Sequence, residues 1–93
     1  MVVYVAGRIK GVKNYKKYFA EACKGIKFAG HIPLNPSLLP EGMDEDSYMP
    51  ICYAMLDASD AIYLLKGWEI SEGAKQELFY ALKTDKRIMV EGE

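Results

Sequence analysis

The chain has one histidine, one tryptophan, two cysteines and no long uninterrupted run of apolar residues. Each scarcity removes a class of function. Spanning a bilayer takes about 20 consecutive apolar residues, so no membrane role is expected. The opening MVVYVAGRIK lacks the basic, then apolar, then small-residue layout of a signal peptide, and the expected location is the cytoplasm. Cys23 and Cys52 stand far apart and His31 is alone, which leaves no zinc-ligand spacing. Neither a metal nor another cofactor is expected, and the two thiols read as small buried hydrophobes. Charge of one sign is also missing. With 12 Lys+Arg against 13 Asp+Glu the net charge is −1, unlike the basic surface that grips a nucleic-acid polymer.

What is present suits a compact fold. The 93 residues, 51% of them hydrophobic, read as a single domain over 1–93. A core of this size is modest, and an oligomer would hide more apolar surface. Charge is unevenly placed along the chain. Residues 1–31 carry seven Lys or Arg against the single acid Glu21, and residues 41–61 carry six acids and no base. Solvated helix faces account for such a split, and so does a field that steers a small anion to one rim.

The hydrophobic pattern alternates between two periods. Val2-Val3-Tyr4-Val5-Ala6 is a continuous β-branched and aromatic run, the mark of a strand buried on both faces. Tyr15, Phe19, Ala22, Ile26 and Ala29 recur at helical spacing between Asn14 and Gly30. His31 to Leu34 reads as a short strand whose Pro33 suits an edge. Asn35 to Glu45 reads as a loop, and its length makes it a functional candidate. A helix over about 46–58 follows, with Pro50 tolerable in its first turn. Asp60 to Leu65 reads as a third strand, 72–83 as a third helix capped by Ser71, and Arg87 to Val90 as the last strand.

Strands alternating with helices predict an α/β fold: a small three-layer α/β/α domain with a four-stranded, mainly parallel sheet of the Rossmann or flavodoxin kind. Such sheets bind ligands outside the carboxyl ends of their strands. That directs attention to Gly7–Gly11, Asn35–Glu45 and Lys66–Ser71.

Glu77 is the most informative residue. It lies three after Ala74 and four before Ala81, in or beside the apolar stripe of its helix. A carboxylate turned inwards costs several kcal/mol, by order of magnitude, unless paired, neutralised or opened to a cavity. A rim glutamate paired with a nearby base and a functional carboxyl both fit that spacing. Ser71-Glu72-Gly73 opens the same helix, where free N–H groups and the dipole favour a phosphate and Gly73 lets it approach; a plain N-cap reads the same way. Gly7, Ile9, Lys10 and Gly11 leave the first strand at the ligand end, with Arg8 and Lys10 as anion contacts or surface charges. Trp68, in a turn, is placed to stack on a base, and Tyr4 serves either the site or the core. Asp57 and Asp60 flank the start of the third strand.

Three stretches together resemble a known group. Tyr4-Val5-Ala6-Gly7-Arg8-Ile9-Lys10-Gly11 looks like a "Y-x-x-G-x-I-x-G" signature, Asn35-Pro36 like an "N-P" step, and Ser71-x-Gly73-x-x-x-Glu77 matches "S-x-G-x-x-x-E". The chain resembles the nucleoside 2-deoxyribosyltransferase-like superfamily, in particular a small, largely uncharacterised bacterial and phage branch, along almost its whole length. That resemblance implies a 2-deoxyribosyltransferase or deoxynucleoside 5′-monophosphate N-glycosidase, hydrolase or transferase, with a small nucleotide or nucleoside as partner. Glu77 takes the part of nucleophile, Tyr4 that of its neighbour, Ser71 and Gly73 hold a 5′-phosphate, and Lys10 supplies positive charge. Homo-oligomers whose subunits share sites are implied as well.

One position departs from the pattern. The superfamily's active enzymes carry an aspartate eight residues before the Asp that opens the third strand, and counting back from Asp60 gives Cys52. A thiol is a poor substitute for a carboxylic acid in protonating a leaving base. Asp57 is the alternative acid, although five residues along a helix turn it about 140° away. A nucleotide-binding module without turnover, and a protein-interaction domain using the charge-split surface, are the competing readings.

Overall fold

The computed structural model describes all residues, 1–93. Its elements run β1 (Val2–Ala6), α1 (Tyr15–Phe28), β2 (Ile32–Leu34), α2 (Glu45–Asp57), β3 (Ala61–Leu64), α3 (Glu72–Lys83) and β4 (Arg87–Val90). Single 3-10 turns occupy Pro36–Leu38 and Trp68–Ile70. All strand pairs are parallel and the spatial order is β2-β1-β3-β4. The expected α/β fold with a four-stranded parallel sheet is what forms. The edge position predicted for Pro33 holds, because β2 pairs with β1 alone.

Side chains of a strand alternate between faces, and β1 uses both. Val3 and Val5 pack with Phe19, Cys23 and Ile26 of α1, and with Ala61 and Leu65. Tyr4 and Ala6 pack on the other side with Cys52 and Leu56 of α2, Ala81 of α3, and Ile62 and Leu64. One face therefore carries one helix and the opposite face two.

The helix ends follow from local chemistry. Gly30 takes φ +90°, its N–H donates to the Lys27 carbonyl and the His31 N–H to that of Ile26, the paired closure of a left-handed helix cap. Asp85, at φ 57°, ends α3 the same way, with Lys86 N–H donating to the Ala81 carbonyl. Asn14 precedes α1 as expected but caps it with its backbone carbonyl, without a side-chain bond.

Two local expectations are corrected. Asn35 to Glu45 is not wholly loop: Asn35 Oδ1 accepts from Ser37 N–H at 2.9 Å and seeds the 3-10 turn. Pro50 sits beyond the first turn, since α2 begins at Glu45. Proline has no N–H to offer the carbonyl four residues back, here that of Asp46, and both residues are exposed, where solvent is free to take the place of that bond.

Candidate functional site

The chain leaves β1 for β2 on one side and returns through α2 to β3 on the other, so the topology reverses between β1 and β3. A crevice outside the carboxyl ends of the strands at such a point is where open α/β sheets bind ligands. The loops flanking it are Gly7–Gly11, which follows β1, and Lys66–Ser71, which follows β3. Their strands come very close: a Cβ on Gly7 would lie 2.8 Å from Leu65 Cδ1 and 3.0 Å from its Cβ. A side chain at position 7 would have to displace Leu65, which favours glycine there. At Gly11 φ is +77°, which bars most side chains on backbone grounds.

Directly below lies a buried polar pair. Tyr4, fully buried in β1, donates its hydroxyl to Glu77 Oε2 of α3 at 2.5 Å. Glu77 is only 7% exposed, so the inward-facing carboxyl anticipated from spacing is a fact of the fold. Burial pushes its pKa up to about 7, against the opposing pull of the Tyr4 hydroxyl and the Cys52 thiol. Burial drives the Tyr4 phenol far above its ordinary value, with Glu77 and Cys52 adding to the effect. The Cys52 thiol is raised to about 11, chiefly by burial. No buried side-chain nitrogen or oxygen lacks a hydrogen-bond partner, so the pair satisfies itself.

Ser71 caps α3 as expected, its Oγ accepting from Ala74 N–H at 3.2 Å. Gly73 is exposed, and a Cβ there would meet nothing within 4 Å; the space beside the helix start is open. Trp68 packs half-buried against the apolar cluster around Tyr4, and Ile9 stands exposed in the loop after β1. Lys10 reaches across the rim to Glu45 at the start of α2, Nζ to Oε1 2.8 Å, with both side chains exposed. Hydrogen bonding to Glu45 raises the Lys10 pKa and lowers that of Glu45.

Asp57 is placed elsewhere. It ends α2, and its Oδ1 accepts from Tyr80 at 2.5 Å, while Tyr80 stacks on Tyr53 with ring centroids 4.5 Å apart. The neighbour of Tyr4 and Glu77 from α2 is Cys52. The signal for this lay in the sequence: Cys52 and Leu56 are four apart and share the buried face, and Asp57 follows about 100° round. Asp60 accepts from Val2 N–H through Oδ2 at 2.8 Å, tying β1 to the start of β3.

These features place the molecule among open parallel α/β domains, the kind that binds ligands at the topological switch point. Residues 1–90 match the family described as "Domain of unknown function (DUF4406)", and the chain belongs to that family. Among solved structures the fold is similar to that of "2-desoxiribosyltransferase from Leishmania mexicana", with a TM-score of 0.76 and 22% sequence identity. The likeness covers 96% of this chain and 62% of that one. The resemblance to the nucleoside 2-deoxyribosyltransferase-like superfamily is thereby supported at the level of the fold. A search of curated proteins finds no match to this sequence. No helix is long and apolar enough to cross a membrane.

Proposed function

We propose that the protein binds a deoxynucleoside or its 5′-monophosphate at the β1/β3 crevice and cleaves the N-glycosidic bond with Glu77 as nucleophile. The observation that carries this reading is the buried Tyr4–Glu77 pair beneath the crevice. A carboxyl in that setting has no structural need that an apolar side chain would not meet better, and a raised carboxyl pKa beneath a ligand crevice is a mark of function. The fold shared with a protein named as a 2-deoxyribosyltransferase supports the choice of substrate class.

In this scheme an ionised Glu77 oxygen attacks the anomeric carbon. The C–N bond breaks with its electron pair passing to the base, and the base takes up a proton as it leaves. Water, or a second base in the transferase variant, then displaces the sugar from the glycosyl ester and frees the carboxylate. Tyr4 holds the carboxyl in place. The open space at Gly73 and the free amides at the start of α3 take the 5′-phosphate, and Lys10, exchanging Glu45 for the phosphate, adds charge. Trp68 and Ile9 border the base. Homo-oligomeric assembly belongs to the same reading.

Base release from a panel of deoxynucleoside 5′-monophosphates tests this. Wild type releases base, and Glu77→Gln loses roughly three orders of magnitude or more. The place of Cys52 beside the pair favours a second reading, a binding module in which no carboxylic acid other than Glu77 stands ready to protonate the leaving base. Absence of release, with a nucleotide-induced rise in melting temperature that survives Glu77→Gln, selects that module.

A further inference from the structure

A buried carboxylate ordinarily has its counter-charge beside it. Glu77 has none in this chain. The ion pairs lie elsewhere, at Lys10–Glu45, Lys16–Glu41 and Lys75–Glu72, and the polar groups that act on Glu77 are the Tyr4 hydroxyl and the Cys52 thiol. Burial raises its pKa to about 7, so near neutrality a positive charge brought alongside is enough to draw off its proton.

The aromatic side chain of the same crevice suits the same kind of charge. Trp68 N–H donates to the Leu65 carbonyl at 3.1 Å, and Gly67 takes φ +89° in the turn between them. That turn lays Trp68 half-buried on the cluster that holds Tyr4 and Cys52. An indole face is the best aromatic partner for a cation.

A proton donor for a departing base is what the crevice lacks. The Tyr4 hydroxyl is given to Glu77, and the Cys52 thiol, raised to about 11 chiefly by burial, holds its proton too tightly to serve as an acid. Asp57 holds Tyr80 at the end of α2 and His31 precedes β2, both at the edge of the sheet opposite the crevice. Glu45 and Glu72, at the starts of α2 and α3, are exposed carboxylates paired with Lys10 and Lys75.

We infer that the base this site releases is a cationic ring, an N7-alkylated purine or a pyridinium, carried on the sugar 5′-phosphate. The inference rests on Glu77 as nucleophile and adds the class of base. A Glu77 oxygen bonds to the anomeric carbon as the C–N bond breaks. The electron pair of that bond neutralises the ring, and the base departs without taking up a proton. Water then displaces the sugar from the ester, its oxygen bonding to the anomeric carbon, its proton passing to solvent and the carboxylate being restored. Before reaction the positive ring is the counter-charge Glu77 lacks, so the substrate itself ionises the nucleophile.

Deoxyguanosine 5′-monophosphate and its N7-methyl derivative differ by one methyl group and the ring charge; nicotinamide 2′-deoxyriboside 5′-monophosphate carries the charge on a pyridinium. Base release from the three is followed by chromatography at neutral pH, with the rate in the absence of protein subtracted. Wild type releases one of the two cationic bases about 100-fold or more faster than guanine, the share a general acid ordinarily supplies, and the faster of the two identifies the ring. Cys52→Asp, which sets a carboxyl beside the pair, narrows that ratio about 10-fold by speeding guanine release. Trp68→Leu narrows it about 10-fold by slowing the cationic base. Guanine released within about 10-fold of both cationic bases overturns the inference and leaves Glu77 as nucleophile standing, and a ratio that neither variant moves overturns it as well. Release of no base from any of the three overturns both.

Discussion

The two faces of the sheet are built from the same strands and serve opposite ends. On the α1 side Val3, Val5, Phe19, Cys23, Ile26, Ala61 and Leu65 form a cluster without a carboxyl. On the α2/α3 side the cluster around Tyr4, Cys52 and Leu56 surrounds the carboxyl of Glu77. A single-residue step along β1, from Val3 to Tyr4, passes from one environment to the other. Each face carries a seven-residue apolar cluster, and the α2/α3 face spends part of its cohesion on holding an acid where water does not reach. Burial of that kind is tolerable in so small a domain because the opposite face is free of it.

The comparison breaks most visibly at Phe19. Phe19→Ala removes a fully buried ring from the apolar face and costs about 3–5 kcal/mol of unfolding free energy in urea titrations, by the same amount at about pH 5 and about pH 8. A pH-dependent loss would mean that the two faces are not separate.

Glu77 gives the contrasting behaviour. Its folded pKa of about 7 lies above the ordinary carboxyl value of 4.5, so the folded state binds the proton more tightly than the unfolded chain. The corresponding stability is fully present below 4.5 and is lost as pH rises through 7, on the order of 3 kcal/mol in all. Thermal unfolding of wild type against Glu77→Gln, scanned from about pH 5 to pH 8, reports this as a gap that grows in favour of the variant. Base release runs the other way, rising through pH 7 as the nucleophile ionises. Tyr4→Phe sharpens the point, because it strips the carboxyl of its donor and costs about 1–3 kcal/mol, more at the alkaline end.

The smallest effect is at the rim. Lys10→Ala breaks an exposed ion pair with Glu45, and such pairs contribute little to stability, so the melting temperature of the free protein stays where it was. Titration calorimetry with a deoxynucleoside 5′-monophosphate shows weaker binding that salt no longer modulates as strongly as in wild type. An unchanged affinity would remove Lys10 from the site.

Much of this was legible in the sequence. The apolar run at Val2–Ala6, the Gly30 stop and the Ser71 cap are local signals, and the elements they predict form within a residue or two. The inward carboxyl was readable from the spacing of Ala74, Glu77 and Ala81 because helical periodicity is local too. What the sequence hid is what depends on distant pairs. Tyr4 as the partner of Glu77 was suggested by resemblance and needs the third dimension to be seen. The Lys10–Glu45 and Tyr80–Asp57 contacts join elements far apart in the chain, and the second engages the Asp57 carboxyl with Tyr80. Pro50 within α2, at an exposed position, shows a helix tolerating a local breaker where solvent is at hand.

The hydrogen bond between Tyr4 and Glu77 joins residues 73 positions apart, and this sets a timetable for synthesis. β1, α1 and β2 lie before residue 35 and can associate while later segments are still being made. β3 then docks on the far side of β1, and only after α3 emerges does Glu77 meet Tyr4. Contacts so distant carry the largest loop-closure cost. The acid is therefore withdrawn from water last, by a nascent chain whose opposite face is already assembled.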